Sequence, residues 1–456
     1  MRPRSPLPSL VHVAVIGGGF SGTMAAIHLL RNNHCRVTLI ERRDRVAAGA
    51  AYSTQEPAHL LNVRAANMSA FADAPSHFAD WLERATGQPA DSYAERRLYG
   101  RYLAELLAAQ SPDERLTILH DEAVALEKNS GGLTVTLSSG SDLHCDCVIV
   151  ASGNVATNRP SFPLQSRRLV ENPWSEDGQE ALREIAEKQG DVMLLGTGLT
   201  MVDMCLSLRT RGFAGRIIAT SRRGLAPLAH QAFTPAPLAA APAPRLSDLL
   251  RQTRNRAESH GWRAAVDALR PHSAALWQGF SIEEQRRFLR HLRPYWDVHR
   301  HRIAPAVAGM LDDLSLKGSL EIVAGRIAHI HDDGSSLDVS IAHRGDGRSV
   351  DRRVEALINC TGLAADIGAT TDPLLRQMID SGMARPDRLR LGLDVDPFSR
   401  VTDGDGTPHD NVFAIGPITR GRFWEIVAVP DIREQISLLT ARIADAAAPC
   451  LEAEPS

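Results

Sequence analysis

The 456-residue chain has few of the features that mark secreted, membrane-spanning or nucleic-acid-binding proteins. Its six cysteines are scattered, which is too few and too irregular for the disulfide framework of a secreted protein. No run approaches the ~18 consecutive apolar residues that a membrane-spanning helix needs. The 51 Lys and Arg nearly balance the 54 Asp and Glu, so no basic field is available for nucleic acid. We therefore expect a cytoplasmic protein of about two to three domains that binds neither membranes nor nucleic acid.

The first informative segment has the pattern of a dinucleotide-binding unit. An apolar run at 11–16 predicts a buried parallel strand, and it leads into the sequence GGGFSG, which satisfies G-x-G-x-x-G. A second predicted strand, 36–40, ends in an acid at the usual distance of about 20 residues. The glycines permit a tight turn, close approach to a pyrophosphate and close helix packing, and the acid accepts hydrogen bonds from a ribose. The pattern assigns to the cofactor Gly17, Gly19, Phe20, Ser21, Gly22 and Glu41.

A second, weaker copy of this pattern begins near residue 191. A predicted strand at 191–195 leads into a Gly-Thr-Gly turn, but Met201 replaces the third glycine. The next predicted strand, 216–220, is followed by two arginines instead of an acid. Two guanidinium groups there suit a phosphate on the adenosine ribose, which favours NADPH or the use of both NADH and NADPH. Solvated arginines are the alternative. The residues assigned to the nicotinamide dinucleotide are Gly196, Gly198, Arg222 and Arg223.

After each copy the chain shows the same order of elements, so the sequence contains an internal repeat. Each copy is followed by a strand, a hairpin and an apolar strand. The apolar strand ends in a small residue and a glycine, which is Gly153 in the first copy and Gly362 in the second. A third such strand, 411–416, ends at Gly416. All three glycines are candidate cofactor contacts.

A helix is predicted to follow the third strand end. Asp431 and Glu434 have the spacing of a capping box, and Pro430 stands just outside it. We therefore expect the helix to begin near Asp431. Its N-terminus would face the pyrimidine edge of a flavin and stabilise the reduced anionic ring.

Two nucleotide-binding units in one chain indicate that a flavin is reduced by a nicotinamide held beside it. The predicted fold class is α/β, with two Rossmann-like domains. An FAD-binding domain at 1–165 and 366–456 is discontinuous, and an NAD(P)H-binding domain at 166–365 is inserted in it. A Pro- and Ala-rich loop at 225–244 precedes a helical insertion at about 245–315. The predicted cofactors are FAD and NADH or NADPH.

These motifs resemble those of flavoproteins with two dinucleotide-binding domains. Further segments are similar to a narrower bacterial group that includes an FAD-dependent urate hydroxylase and an amino-acid N-monooxygenase. The resemblance implies FAD, a nicotinamide reductant, O₂ and a small-molecule substrate. It also implies that His59, Asn62 and Arg64 lie near the isoalloxazine ring, with packing of their loop as the alternative. The segments that carry this narrower resemblance are 49–53, 59–63, 97–102 and 295–301.

One position departs from the pattern of these flavoproteins. Many of them have Gly-Asp at the last strand end, where the acid holds the ribityl chain. This chain has Gly416-Pro417 instead, so that contact must come from another residue.

The resemblance favours hydroxylation of urate to 5-hydroxyisourate, a step of purine metabolism. The basic residues between 291 and 302 would then form an anion-binding wall, although a solvated basic helix face is the alternative. N-hydroxylation of an amino acid or amine is the second candidate function, and a non-enzymatic FAD-containing redox sensor is the third. No catalytic residue is predicted, because the oxygen chemistry belongs to the cofactor. Neither a metal site nor an oligomeric state is indicated.

Overall fold

The computed structural model describes residues 10–154, 162, 164, 166–362 and 366–447, which form β-sheets flanked by helices. The strands are β1 (Val11–Ile16), β2 (Cys35–Ile40), β3 (Leu116–Leu119), β4 (Ala123–Asn129), β5 (Gly132–Leu137), β6 (Asp142–Cys145), β7 (Cys147–Val150), β8 (Leu169–Val170), β9 (Val192–Leu195), β10 (Ile217–Ser221), β11 (Leu320–Asp332), β12 (Leu337–His343), β13 (Ser349–Val354), β14 (Ala356–Asn359), β15 (Arg400–Thr402) and β16 (Pro408–Ala414). The helices are α1 (Phe20–Leu30), α2 (Gly49–Tyr52), α3 (His77–Thr86), α4 (Arg96–Ala108), α5 (Glu176–Lys188), α6 (Leu199–Thr210), α7 (Leu246–Asp267), α8 (Ser273–Gly279), α9 (Ile282–Arg287), α10 (Arg293–Arg300), α11 (Pro305–Leu316), α12 (Pro373–Asp380), α13 (Arg420–Phe423) and α14 (Val429–Ala447). Within these ranges, no helix combines the length and the apolar character needed to cross a membrane. The predicted α/β class is confirmed.

The first large sheet is built from both ends of the chain. Its order is β15-β16-β7-β1-β2-β3, and all neighbouring pairs are parallel except β15 with β16. Strand β1 has the predicted bounds, and its residues 13–16 are buried because both faces of the sheet are covered, one by α1 and α14 and the other by the β4-β5-β6 sheet. Strand β16 joins after the long intervening segment, with Val412 opposite Val148. The sheet therefore contains the predicted return of the chain, while the domain boundaries at 165/166 and 365/366 stay a prediction.

The second large sheet repeats this plan with one difference. Its order is β13-β12-β11-β10-β9-β14-β8. In the first unit β3 and β4 are separate strands, and the hairpin that follows forms its own sheet, β4-β5-β6. In the second unit the long β11 pairs with β10 up to Ala324 and with β12 from Gly325 onward. A Cβ at Gly325 would lie 2.6 Å from the Ile341 Cγ2. The absence of a side chain at Gly325 therefore lets β12 approach β11 at the point where β11 changes its pairing partner.

The helical insertion has nearly the predicted limits. The segment 225–244 contains no helix, and α7 to α11 then follow between Leu246 and Leu316. Helix α9 begins with a capping box, in which Ser281 and Glu284 each accept a backbone N–H of the other. The apolar residues of the insertion pack on Trp424, which follows β16. The insertion therefore lies against the segment that follows β16.

Candidate functional site

The first glycine loop turns sharply between the ends of three strands. Gly17 has φ +104°, and a Cβ there would lie 2.5 Å from the Ala151 carbonyl oxygen at the end of β7. The Gly17 N–H donates to the Ile40 carbonyl at the end of β2, at 2.8 Å. Only glycine combines this backbone conformation with this closeness, so the turn depends on that residue.

Helix α1 packs directly on this loop. A Cβ at Gly22 would lie 1.8 Å from the Gly17 carbonyl oxygen, a backbone atom that cannot move aside. Gly19 caps α1 without a side-chain hydrogen bond, and the first turn carries no acidic residue. The N–H groups of Phe20 and Ser21 have no acceptor among the described residues. The helix therefore offers free donors and its positive dipole end to an anion.

Glu41 lies at the end of β2 beside the loop, where the sequence pattern places it. It is 7% exposed. Its Oε2 accepts the Gly18 N–H at 2.8 Å, and its Oε1 accepts the Arg43 N–H at 3.0 Å. Each oxygen keeps a lone pair for a further donor, so the carboxylate both braces the loop and can accept from a hydroxyl. Its contact with a ribose stays a prediction.

The second glycine loop has the geometry of the first. Gly196 has φ +113°, and a Cβ there would lie 2.4 Å from the Cys360 carbonyl oxygen. Its N–H donates to the Thr220 carbonyl at 2.7 Å. Gly198 caps α6 without a side-chain bond or a first-turn acid. The chain therefore contains two glycine loops of matching geometry.

The third position of the motif distinguishes the two loops. Met201 in α6 is fully buried at the position that Gly22 has in α1. Because Met201 carries a side chain, α6 cannot approach Gly196 as closely as α1 approaches its own loop. The two loops therefore differ in how their helices pack against them.

The two arginines that follow β10 have no carboxylate partner among the described residues. Arg222 is exposed and Arg223 is half-buried. The Arg223 Nη2 lies 3.5 Å from the carbonyl oxygens of Arg290 and His291, and its guanidinium carbon lies 5.5 Å from the Tyr295 ring centroid. Both positive charges therefore remain uncompensated by acids, as a phosphate site requires. Their role in binding stays a prediction.

The three predicted strand-end glycines all have positive φ, at +77° for Gly153, +81° for Gly362 and +73° for Gly416. No atom of the described residues lies within 4 Å of a Cβ built on either of the first two. A Cβ on Gly416 would lie 2.5 Å from Ser21 Oγ, and its N–H donates to Gln435 Oε1 at 2.8 Å. The segment that follows β16 therefore lies against the first turn of α1.

Helix α14 begins earlier than expected, so the predicted capping box is wrong. The helix starts at Val429, and Pro430 lies inside its first turn, where the missing N–H would have no acceptor in the helix. Asp431 is therefore a first-turn residue and not the cap. Burial raises the pKa of Asp431, while the Arg270 and Arg300 charges oppose the shift. Its Oδ2 has no hydrogen-bond partner among the described residues.

Two of the segments that resemble the bacterial flavoprotein group, 49–53 and 97–102, pack near the first loop. Gly49, at the start of α2, lies so close to the loop that a Cβ on it would be 3.0 Å from the Gly19 Cα. A Cβ on Gly100 of α4 would lie 2.6 Å from the Tyr52 carbonyl oxygen. These glycines let α2 and α4 pack against the loop in layers, whereas Arg64 is exposed.

A buried ion pair, which the sequence analysis missed, joins the two units. Arg96, at the start of α4, donates to both carboxylate oxygens of Asp203 in α6 at 2.9 and 3.0 Å. The two side chains are 15% and 7% exposed. An acid in the mostly apolar first half of α6 was the available signal. This bidentate pair fixes the orientation of the second loop relative to the first unit.

His59 strengthens the same contact and does not serve as a free site residue. Its Nε2 lies 2.9 Å from Ser207 Oγ and 3.0 Å from the Asp203 carbonyl oxygen. Burial lowers the pKa of His59. His230 donates through Nε2 to the Asn62 carbonyl at 2.8 Å. Packing of this loop on the second unit therefore explains both His59 and Asn62.

The basic segment near the end of the insertion is compensated by acids. Arg300 Nε lies 3.2 Å from Glu425 Oε2, and Arg302 Nη2 lies 3.7 Å from Asp267 Oδ1. The side chains of these two arginines are 13% and 5% exposed. They therefore form neither an uncompensated anion-binding wall nor a solvated basic face.

Comparison with known proteins agrees with this geometry. Residues 14–155 match the model of a family described as FAD-NAD(P)-binding. This stretch contains the first glycine loop, Glu41 and Gly153. The comparison confirms the predicted cofactors, FAD and a nicotinamide dinucleotide.

Solved structures of similar fold extend over nearly the whole chain. An ornithine N-hydroxylase from Kutzneria is 14% identical, with a TM-score of 0.68 and coverage of 96% of this chain and 100% of that one. A cadaverine monooxygenase from Erwinia amylovora is 12% identical, with a TM-score of 0.68 and coverage of 95% and 94%. An L-lysine 6-monooxygenase from Pseudomonas syringae is 16% identical, with a TM-score of 0.63 and coverage of 95% and 98%. The fold is that of FAD- and NAD(P)-binding oxidoreductases.

Proposed function

We propose that this protein is an FAD-dependent monooxygenase that uses NADPH and O₂ to hydroxylate a nitrogen of an amino acid or amine. The observation that carries the proposal is the pair of glycine loops with matching geometry in one chain. The fold that contains these loops is similar to the folds of three amine or amino-acid monooxygenases over nearly their full length. Two dinucleotide sites side by side suit a flavin and its reductant.

The residues of the first loop fit the diphosphate of FAD. The turn at Gly17 and the contact at Gly22 leave no room for side chains, and the N-terminus of α1 has unused N–H donors. Glu41 would accept from the adenosine ribose, and Gly153 and Gly416 would approach the cofactor with their backbones. When bound, FAD supplies the electron transfer and the oxygen chemistry. The protein binds and orients the reactants and excludes water from the site.

The second loop would hold NADPH. The N-terminus of α6 at Gly198 would bind its diphosphate, and the strand end at Gly362 would approach it with open backbone. Arg222 and Arg223 would bind the 2′-phosphate as charge-assisted donors. Arg96 and Asp203 act as positioning residues, because they hold α6 against the first unit.

N-hydroxylation has better support than hydroxylation of urate. The three similar enzymes are named for ornithine, cadaverine and lysine, and none is named for urate. Two arginines of the predicted anion-binding wall, Arg300 and Arg302, already face carboxylates of the protein itself. The proposed substrate is therefore a compound with an amino group.

Measurement of product formation tests this function. The FAD-loaded protein is mixed with NADPH and a panel of amino acids and amines, with urate as the comparison. We expect one of the amines or amino acids to stimulate O₂ uptake and to yield a hydroxylamine in proportion to NADPH oxidised. Loss of urate absorbance with no hydroxylamine would contradict the proposal. So would peroxide as the sole product across the panel, or an absence of NADPH oxidation, which is the result expected of a redox sensor.

Replacement of both Arg222 and Arg223 with alanine tests the nicotinamide site. We expect kcat/KM for NADPH to fall about 10- to 100-fold relative to NADH, because one or two charge-assisted hydrogen bonds to the 2′-phosphate are lost. Steady-state kinetics with both nucleotides give this ratio. The control is Arg183→Ala, an exposed arginine of α5 that pairs with Glu180 and should leave the ratio unchanged. An unchanged ratio in the double variant would show that the arginines do not bind the phosphate.

A further inference from the structure

The helical insertion and Trp424 line a cavity of about 250 Å³ that is partly open to solvent. Four of the six tryptophans of the chain line it, and most of the other lining residues are leucines, alanines and phenylalanines. We call it the tryptophan cavity. Its tryptophans are Trp262, Trp277, Trp296 and Trp424.

The cavity is large enough for a small aromatic molecule. An engineered apolar cavity of about 150 Å³ binds benzene, so the tryptophan cavity has room for a larger aromatic group, of about the size of indole. The lining of this cavity therefore suits an aromatic ligand and not water.

Trp424 forms a buried part of the cavity wall. Its side chain is 4% exposed, and its ring stacks on Trp277 with the centroids 4.6 Å apart. Its indole N–H has no acceptor among the described residues. A buried donor without an acceptor is costly, so stability alone does not explain the position of the Trp424 ring.

The cavity adjoins the segment that leads from β16 to α14. Trp424 belongs to that segment, which starts at the strand-end glycine Gly416. The next residue, Glu425, accepts the Trp296 Nε1–H at 2.8 Å. The cavity therefore adjoins the segment that connects Gly416 to α14.

The charges around the cavity favour an anionic ligand over a cationic one. No aspartate or glutamate is among the lining residues that the structure describes. Arg254 and Tyr295 line the cavity and are exposed, so they mark its mouth. Arg254 has no ion pair with any described carboxylate. A carboxylate at the mouth would find a free guanidinium, whereas an ammonium group would find no counter-charge.

We propose that the tryptophan cavity binds the substrate of the proposed monooxygenase, and that this substrate is an aromatic carboxylate with a ring of about the size of indole. The ring occupies the cavity, and the carboxylate pairs with Arg254 at the mouth. This inference rests on the proposed function and narrows its substrate class to aromatic amino acids. It separates this chain from enzymes whose substrates are aliphatic diamines such as cadaverine.

Calorimetric titration of the FAD-loaded protein tests the inference without turnover. The probes are indole-3-propionate and tryptamine, which share a ring and differ in the sign of their charge. We expect indole-3-propionate to bind at least about 10-fold more tightly, the effect of one charge-assisted hydrogen bond. In Arg254→Ala this preference should disappear. The matched control is Arg251→Ala, on the same helix, since Arg251 pairs with Asp248 and does not line the cavity.

A second variant tests the ring site itself. Leu250 lines the cavity, and Leu250→Trp should fill it and weaken the binding of both probes by at least about 10-fold. If this variant does not fold, the Arg254→Ala comparison alone decides the test. Equal affinity for the two probes, tighter binding of tryptamine or no binding would overturn the inference.

The results also separate this inference from the proposed function. Binding of indole-3-propionate without any N-hydroxylation would sink the proposed function and leave the aromatic site in place. Hydroxylation of ornithine or lysine by a protein that binds neither indole probe would do the reverse.

Discussion

Replacement of Gly22 with alanine is expected to give a protein that retains no FAD. The new Cβ would lie 1.8 Å from the Gly17 carbonyl oxygen, so α1 must move away from the loop that it caps. Overpacking of this kind costs about 1–3 kcal/mol of folding free energy. The larger effect is on FAD binding, because the N–H donors of α1 and the turn at Gly17 would no longer be positioned to contact the same diphosphate. Flavin absorbance after gel filtration, together with urea denaturation, measures both effects.

A second glycine provides the control for this substitution. Gly309 lies in α11, has ordinary helical geometry, and no atom of the described residues lies within 4 Å of a Cβ built on it. Gly309→Ala should raise the free energy of unfolding by up to about 1 kcal/mol, because alanine favours the helix, and should leave FAD bound. Full FAD occupancy in Gly22→Ala would contradict the assignment of the first loop.

Replacement of Asp203 with alanine is expected to lower the free energy of unfolding by about 3–5 kcal/mol. The substitution leaves the Arg96 guanidinium buried between the two units without its bidentate partner. Its side chain is 15% exposed, so water cannot replace the carboxylate fully. Because the pair holds α6 against the first unit, we also expect weaker binding of NADPH. Urea denaturation and NADPH titration measure the two effects.

A double-mutant cycle identifies the source of this loss. Arg96→Met should also destabilise the protein, but the two changes together should cost less than the sum of the single changes. The control is Arg101→Ala, which removes an exposed pair with Glu105 on the same helix and should cost less than about 1 kcal/mol. Strict additivity of Asp203→Ala and Arg96→Met would show that the buried pair does not stabilise the interface.

The features that depend on local sequence were predictable. Strand β1 has the predicted bounds because a run of apolar β-formers before glycines can hardly be a helix. Both glycine loops, the return of the chain at β16 and the helical insertion followed from spacing and periodicity. The predicted start of α14 was wrong by two residues, since proline is equally acceptable before a helix and in its first turn.

The features that depend on tertiary contacts were not predictable. Arg96 and Asp203 are far apart in the sequence, and neither belongs to a recognisable motif. His59 was assigned to the flavin by resemblance, but its hydrogen bonds to α6 show that it packs the two units together. The tryptophan cavity brings Trp424 to three tryptophans of the insertion, a meeting that only the folded chain reveals.

The central claim is that α1 holds FAD and that a nicotinamide bound at α6 reduces it. The most direct test is the visible absorption spectrum of the purified protein, reconstituted with FAD and titrated with NADPH under anaerobic conditions. The account predicts a yellow protein with one FAD per chain, whose flavin absorbance is bleached by NADPH. A folded protein that stays colourless after reconstitution, or a bound flavin that NADPH does not bleach, would contradict it.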